Sequence, residues 1–228
     1  TTHNRSLGGI IMLIISKTRL IRFLLLISLV ISTKFSYAID EPLPIISGVG
    51  GEFTALYDDS KEIKMSDFKG KVVVLAFGYT NCADICPFTL GYLKHLYNEL
   101  SPDEKKETQV LFTTVDPKYD TPEHLKIFVE FFNKDFIGLS GSQKQIEKIT
   151  GLYQAEYSSL SGESEVETKD IRRITPRKTT DEKEKGVLFR HTVVIYLIDK
   201  QGLTRSLEYT GTPKELFAGK IRRLIDEK

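Results

Sequence analysis

Two cysteines and four histidines stand out among the 228 residues as candidates for soft-metal or redox chemistry. Cys82 and Cys86 stand four positions apart in FGYTNCADICPFTL. Thiols at that spacing can close into a disulfide, cycle between dithiol and disulfide, or hold a soft metal as thiolates. A purely structural disulfide closing a ring of about five residues would contribute roughly 2 kcal/mol, before strain is subtracted. That is a weak staple for a chain of this length. The spacing is one residue longer than the redox dithiol C-x-x-C. His3 lies in the N-terminal tail. His95 and His124 fall on helical stretches whose apolar positions are already accounted for, so both read as surface residues. His191 precedes an apolar run, and on the residues alone its role as a ligand stays open. Two sulfurs and one imidazole would suit Cu(I), which accepts low coordination, better than structural zinc, which takes four ligands.

The elements around the cysteines follow from periodicity. Val72 to Phe77 is a continuous apolar, β-branched run, the pattern of a strand buried on both faces. Gly78-Tyr79-Thr80-Asn81 breaks it, and Leu90, Leu93, Tyr97 and Leu100 recur at helical spacing. A helix beginning near Cys82 would put both sulfurs on one side of its first turn. Its N–H groups and dipole would there favour thiolate by less than about one pKa unit.

Gln109 to Val115 reads as a second core strand. Thr121-Pro122 is an N-cap with proline at the first helical position, ahead of Leu125, Phe128, Val129 and Phe132 on one face. Ser142 and Gln145 form a capping box before Ile146, Ile149 and Tyr153. Thr192 to Ile198 reads as a third apolar strand, Asp199 to Gly202 as a hairpin turn and Leu203 to Tyr209 as its partner. Thr212-Pro213-Lys214-Glu215 predicts a capped final helix carrying Phe217, Ile221, Leu224 and Ile225 inward. This order predicts an α/β fold with a central mixed sheet flanked by helices. The long charged loop 155–186 interrupts it directly before the hairpin, and a loop of that length in a compact domain is usually functional or disordered.

Residues 1–38 differ in composition. They carry Arg5, Lys17, Arg19, Arg22 and Lys34, no acidic residue, and the apolar run Phe23 to Ser32 before Ser36-Tyr37-Ala38. This is an export signal with small residues at the cleavage site, or an uncleaved membrane anchor if Arg22 snorkels. Residues 1–11 precede the first methionine, Met12, and are set aside as artefactual or a mis-assigned start. Residues 39–51 read as an extended lead-in and 52–228 as the functional domain. Without residues 1–38 the balance is 27 basic to 31 acidic side chains, a formal −4. That charge does not favour nucleic acid. Export would place the thiols where they are not kept reduced by default.

FGYTNCADICPFTL, TVDPKYDTPEHLKIF and HTVVIYLIDKQG together resemble the three signature blocks of the Sco/SenC copper proteins, from about Ile46 to the C-terminus. The resemblance implies a thioredoxin-like fold, and Cys82, Cys86 and His191 as ligands of one copper, Cu(I) with Cu(II) as a further state. Asp116 falls on the family's aspartate beside that site and is read as a neighbour of the ligands. The implied function is a copper metallochaperone for the copper centre of cytochrome c oxidase. Its partners would be the copper-receiving subunit and a thiol reductant or copper donor. The chain would act as a monomer, in the periplasm or at the outer face of the inner membrane, attached there through residues 1–38 if these are uncleaved.

The alternative is a thiol–disulfide oxidoreductase that keeps the cysteines of a copper-receiving partner reduced. A peroxidase would need an arginine by the cysteines, and Phe77 to Pro87 contains none. Two features depart from the family pattern. Arg190 stands before His191 where an acidic residue is usual, and a cation there would disfavour Cu(II) relative to Cu(I) if the two are close. The 155–185 loop is also longer than the family pattern leads one to expect.

Overall fold

The computed structural model describes residues 41–57, 61–155, 157–159, 189–191 and 193–227; for 157–159 and 189–191 it describes the backbone alone. Residues 1–38, expected to be an export signal or anchor, and most of loop 155–186 lie outside the described residues. The chain divides into units of residues 1–42 and 43–228. Among the described residues no helix is long and apolar enough to cross a membrane.

In chain order, β1 (Thr54–Leu56) and β2 (Glu62–Lys64) pair antiparallel, and a 3-10 turn (Met65–Phe68) leads into β3 (Val72–Gly78). Then come α1 (Ile85–Asn98), α2 (Pro102–Lys106), β4 (Thr108–Thr114), α3 (Pro122–Phe132), β5 (Ile137–Leu139) and α4 (Gln143–Leu152). β6 (Tyr157–Ser159), β7 (Phe189–His191), β8 (Ile195–Ile198), β9 (Thr204–Glu208) and α5 (Lys214–Asp226) complete the chain.

The main sheet has the order β5-β4-β3-β8-β9. β3, β4 and β5 run parallel, joined by helical crossovers as parallel pairs require, and β8 and β9 run antiparallel to their neighbours. Every residue of the central strand β3 is buried, which is why its sequence is continuously apolar instead of alternating. This is the expected α/β fold with a mixed sheet. Leu90 and Leu93 of α1, Leu111 of β4, Ile146 of α4 and Phe217 of α5 are fully buried in the same core.

Caps mark where the helices begin. The Thr121 hydroxyl accepts from the His124 N–H at 3.2 Å with Pro122 in the first turn, and Ser142 and Gln145 cap each other reciprocally. Two expectations need correction. Thr212 does not cap α5: its hydroxyl accepts from the Tyr209 N–H at 3.3 Å, which turns it back towards the hairpin, and the N-cap is Pro213. The apolar stretch from Thr192 is also not one strand. Pairing with β3 starts at Ala76↔Ile195, and Val193 is exposed, so β8 covers only the last four residues. Upstream, β7 pairs antiparallel with β6, with His191 opposite Tyr157.

One buried arginine closes the domain. The Arg205 guanidinium donates to Asp199 Oδ2 at 2.8 Å, to Glu227 Oε2 at 2.7 Å and to the Leu43 carbonyl. The lead-in is fastened further where the Ile46 N–H donates to the Thr204 carbonyl at 2.8 Å.

Candidate metal centre

The site begins where β3 runs out. The Val115 N–H donates to the Gly78 carbonyl at 2.8 Å, and beyond it the chain turns back so that the Cys82 N–H donates to the Tyr79 carbonyl at 3.3 Å. α1 starts at Ile85 with Asp84 as its N-cap. Cys82 therefore lies ahead of the helix, and only Cys86 sits within its first turn, contrary to the expected helix start. The two side chains meet all the same: they are thiols hydrogen-bonded to each other. Cys86 is 1% exposed and Cys82 9%.

Gly78 makes room for this meeting. A Cβ there would lie 2.7 Å from Cys86 Sγ and 2.5 Å from Phe112 Cζ. The sequence read Gly78 only as a strand breaker.

The thiolate-favouring environment expected at Cys86 is not what its surroundings produce. The Cys86 thiol is pushed well up, first by its hydrogen bond to Cys82, then by burial and by the charge Cys82 would carry; the Tyr79 backbone bond opposes this, and Asp120's charge adds the smallest push. Desolvation and like charge thus outweigh the modest pull of a helix terminus. The Cys86 thiol therefore holds its proton until something stronger than the helix takes the proton's place.

Asp116 closes β4 and is buried. Its N–H donates to Thr114 Oγ1 at 3.0 Å. Burial, then the charge of Asp120, raise its carboxyl above the usual carboxylate range, against the Tyr119 backbone bond and Lys118. The polar centre of this corner is Asp120, which the sequence reading quoted within its second block but did not single out. Asp120 is 0% exposed. It accepts from the Thr80 N–H at 3.0 Å, from the Thr80 hydroxyl, and from the Thr114 hydroxyl at 2.6 Å. The signal that could have found it is an aspartate placed just before the Thr121-Pro122 cap, which the cap itself does not need.

The backbone of His191 lies in β7, and its side chain lies outside the described residues. The chain enters β8 at the end of the sheet where β3 leaves for the cysteines, because Ile195 pairs with Ala76. His95 is exposed on α1. His124 is 44% exposed, with Nδ1 3.9 Å from Asp120 Oδ1 and its ring edge-on to Tyr119. Among the described residues no three His, Cys, Asp or Glu side chains form a metal-binding group. What the described part offers is two adjoining sulfurs, shielded from water, with Phe88 60% exposed beside them in sequence. Such donors fit a soft monovalent ion and do not fit hard cations, which take oxygen.

Comparison with known proteins bears on this geometry. The sequence matches the SCO1/SenC family model over residues 46–226. It is 31% identical over 171 residues to the SCO2-like protein of Rickettsia felis, an alignment covering 74% of each chain. The fold is similar to that of Bradyrhizobium japonicum ScoI with copper bound, at 26% identity and a TM-score of 0.61, over 77% of this chain and 99% of that one. BsSco, a member of the Sco family of cytochrome c oxidase assembly proteins in which a disulfide switch was identified, shares the fold at 20% identity and a TM-score of 0.56, over 82% of this chain and 98% of that one.

Proposed function

Because the chain belongs to the SCO1/SenC family, we propose that it is a copper metallochaperone that carries one copper ion on Cys82, Cys86 and His191. It delivers the ion to the copper-receiving subunit of cytochrome c oxidase. The observation that carries the reading is the pair of buried thiols hydrogen-bonded to each other at the β3–α1 junction. Bradyrhizobium ScoI, of the same fold, binds copper, and BsSco belongs to a family that assembles cytochrome c oxidase.

The chemistry follows from the environment. Each sulfur gives up its proton as it takes the ion, so loading releases protons and depends on pH. The raised thiol of Cys86 makes the proton a competitor for that sulfur, which suits a site that has to let its cargo go. His191, at the end of β7 four residues ahead of the first residue of β8, completes a three-donor set. Residues 1–38 carry the domain out of the cytoplasm, either cleaved or kept as an anchor.

A second reading rests on the same contact. Thiols this close can also deliver two electrons and two protons to a partner's disulfide while closing their own, with Cys82, the more accessible, attacking first. Anaerobic Cu(I) titration of the reduced protein separates the two. The chaperone predicts one equivalent bound, lost in Cys82→Ser and Cys86→Ser and weakened in His191→Ala. Undiminished copper binding in His191→Ala, together with fast disulfide exchange, would replace it with the oxidoreductase.

A further inference from the structure

We propose that Asp120 is a positioning residue for the cysteine pair: its buried carboxylate clamps the β3–α1 loop through Thr80 and so sets how Cys82 is presented to Cys86. One side of the clamp is rigid. The Asp120 N–H donates to the Asp116 carbonyl at 2.9 Å. Its own carbonyl accepts from the Ser140 hydroxyl, next to β5, at 2.6 Å, and Thr114 at the end of β4 donates to Oδ2 at 2.6 Å. The other side is the loop. Thr80, two residues before Cys82, donates to the carboxylate from both its backbone N–H and its hydroxyl.

Only an ionised carboxylate accepts all of these bonds without offering a proton in return. Charge-assisted bonds of this kind are about twice as strong as neutral ones. Among the described residues His124, with Nδ1 at 3.9 Å, is the basic side chain within ion-pair distance of it. An aspartate that served only to fill the corner would have no reason to grip the cysteine loop twice. The inference rests on the chaperone reading for its copper arm alone.

The test compares three variants of the full chain: Thr80→Val, which removes one hydroxyl and keeps the shape; Asp120→Asn; and Ser140→Ala, which cuts a bond to the Asp120 backbone and leaves the grip on Thr80. The readouts are Tm, the rate of Cys82 alkylation by iodoacetamide at fixed pH, resolved by tandem mass spectrometry, and the Cu(I) dissociation constant. The clamp predicts alkylation about tenfold faster and copper binding about tenfold weaker in Thr80→Val and Asp120→Asn, the scale of one bond to a charged group. Ser140→Ala should lower Tm and change neither. If Asp120→Asn fails to fold, Thr80→Val decides by itself. The proposal is overturned if Thr80→Val leaves the alkylation rate unchanged, or if Ser140→Ala changes it as much. Should the wild-type chain bind no copper, the chaperone reading falls and the alkylation arm still decides the clamp.

Discussion

Gly78→Ala would test the closest approach in the site. The added methyl would sit 2.5 Å from Phe112 Cζ, 2.9 Å from Phe112 Cε2 and 2.7 Å from Cys86 Sγ. Carbon contacts are comfortable at about 3.5–4.0 Å, so the overlap is on the order of 1 Å, against a ring and a sulfur that are both buried. Nothing in the backbone forbids the change, since Gly78 is not among the residues of positive φ.

Overpacking of this kind costs about 1–3 kcal/mol, and restricting the unfolded chain returns roughly 0.4–1 kcal/mol. A net loss of about 1–2 kcal/mol lowers Tm by roughly 2–8 °C for a chain of this size. The sulfur's share is measurable. In a Cys86→Ala background the obstacle on that side is gone, and Gly78→Ala should cost less by about 0.5–3 kcal/mol, the range found for residues in contact. Urea unfolding of wild type, both single variants and the double variant closes the cycle. Additive effects, or a Gly78→Ala protein as stable as wild type, would refute the claim that this glycine exists to admit Cys86.

Two further outcomes follow from the same corner and from the far end of the sheet. Arg205→Met should cost about 3–5 kcal/mol by leaving the buried Asp199 without its cation, seen as a large fall in urea midpoint; a change under about 1 kcal/mol would mean the cluster is dispensable. Asp116 holds its proton more tightly folded than unfolded, because burial and Asp120 raise it. Its contribution to stability is therefore full below the unfolded carboxylate range and lost as pH rises through the folded value. Asp116→Asn should then be more stable than wild type at pH 7, with the gain shrinking as the medium is acidified. A difference that does not vary with pH would contradict this.

What could be read in the sequence was whatever a single element decides for itself. β3 announced itself by an apolar run with no alternation, and Thr121 and Ser142 by cap chemistry that needs only three neighbouring residues. The same rule failed at Thr212, whose hydroxyl accepts from the preceding turn instead of capping the helix. It failed also at Cys86, because a helix terminus can be seen in the sequence while the hydrogen bond to Cys82 and the burial of the pair cannot. Asp120 stayed hidden for that reason: its three donors come from Thr80 and Thr114, on either side of a sheet junction. The break between β7 and β8 depended on which strand each segment pairs with, β6 or β3, which no local pattern records.

The arginine knot also fixes an orientation. Leu43 is gripped beside Thr204, whose partner Ile198 pairs with Val73, whereas the sulfurs follow Gly78. Those two levels are separated by five residues of strand, roughly 17 Å at the usual rise. The point where the lead-in is fastened and the thiols therefore lie towards opposite ends of β3. A pull applied at Leu43 would load the guanidinium and its two carboxylates before any strain reached the cysteine loop.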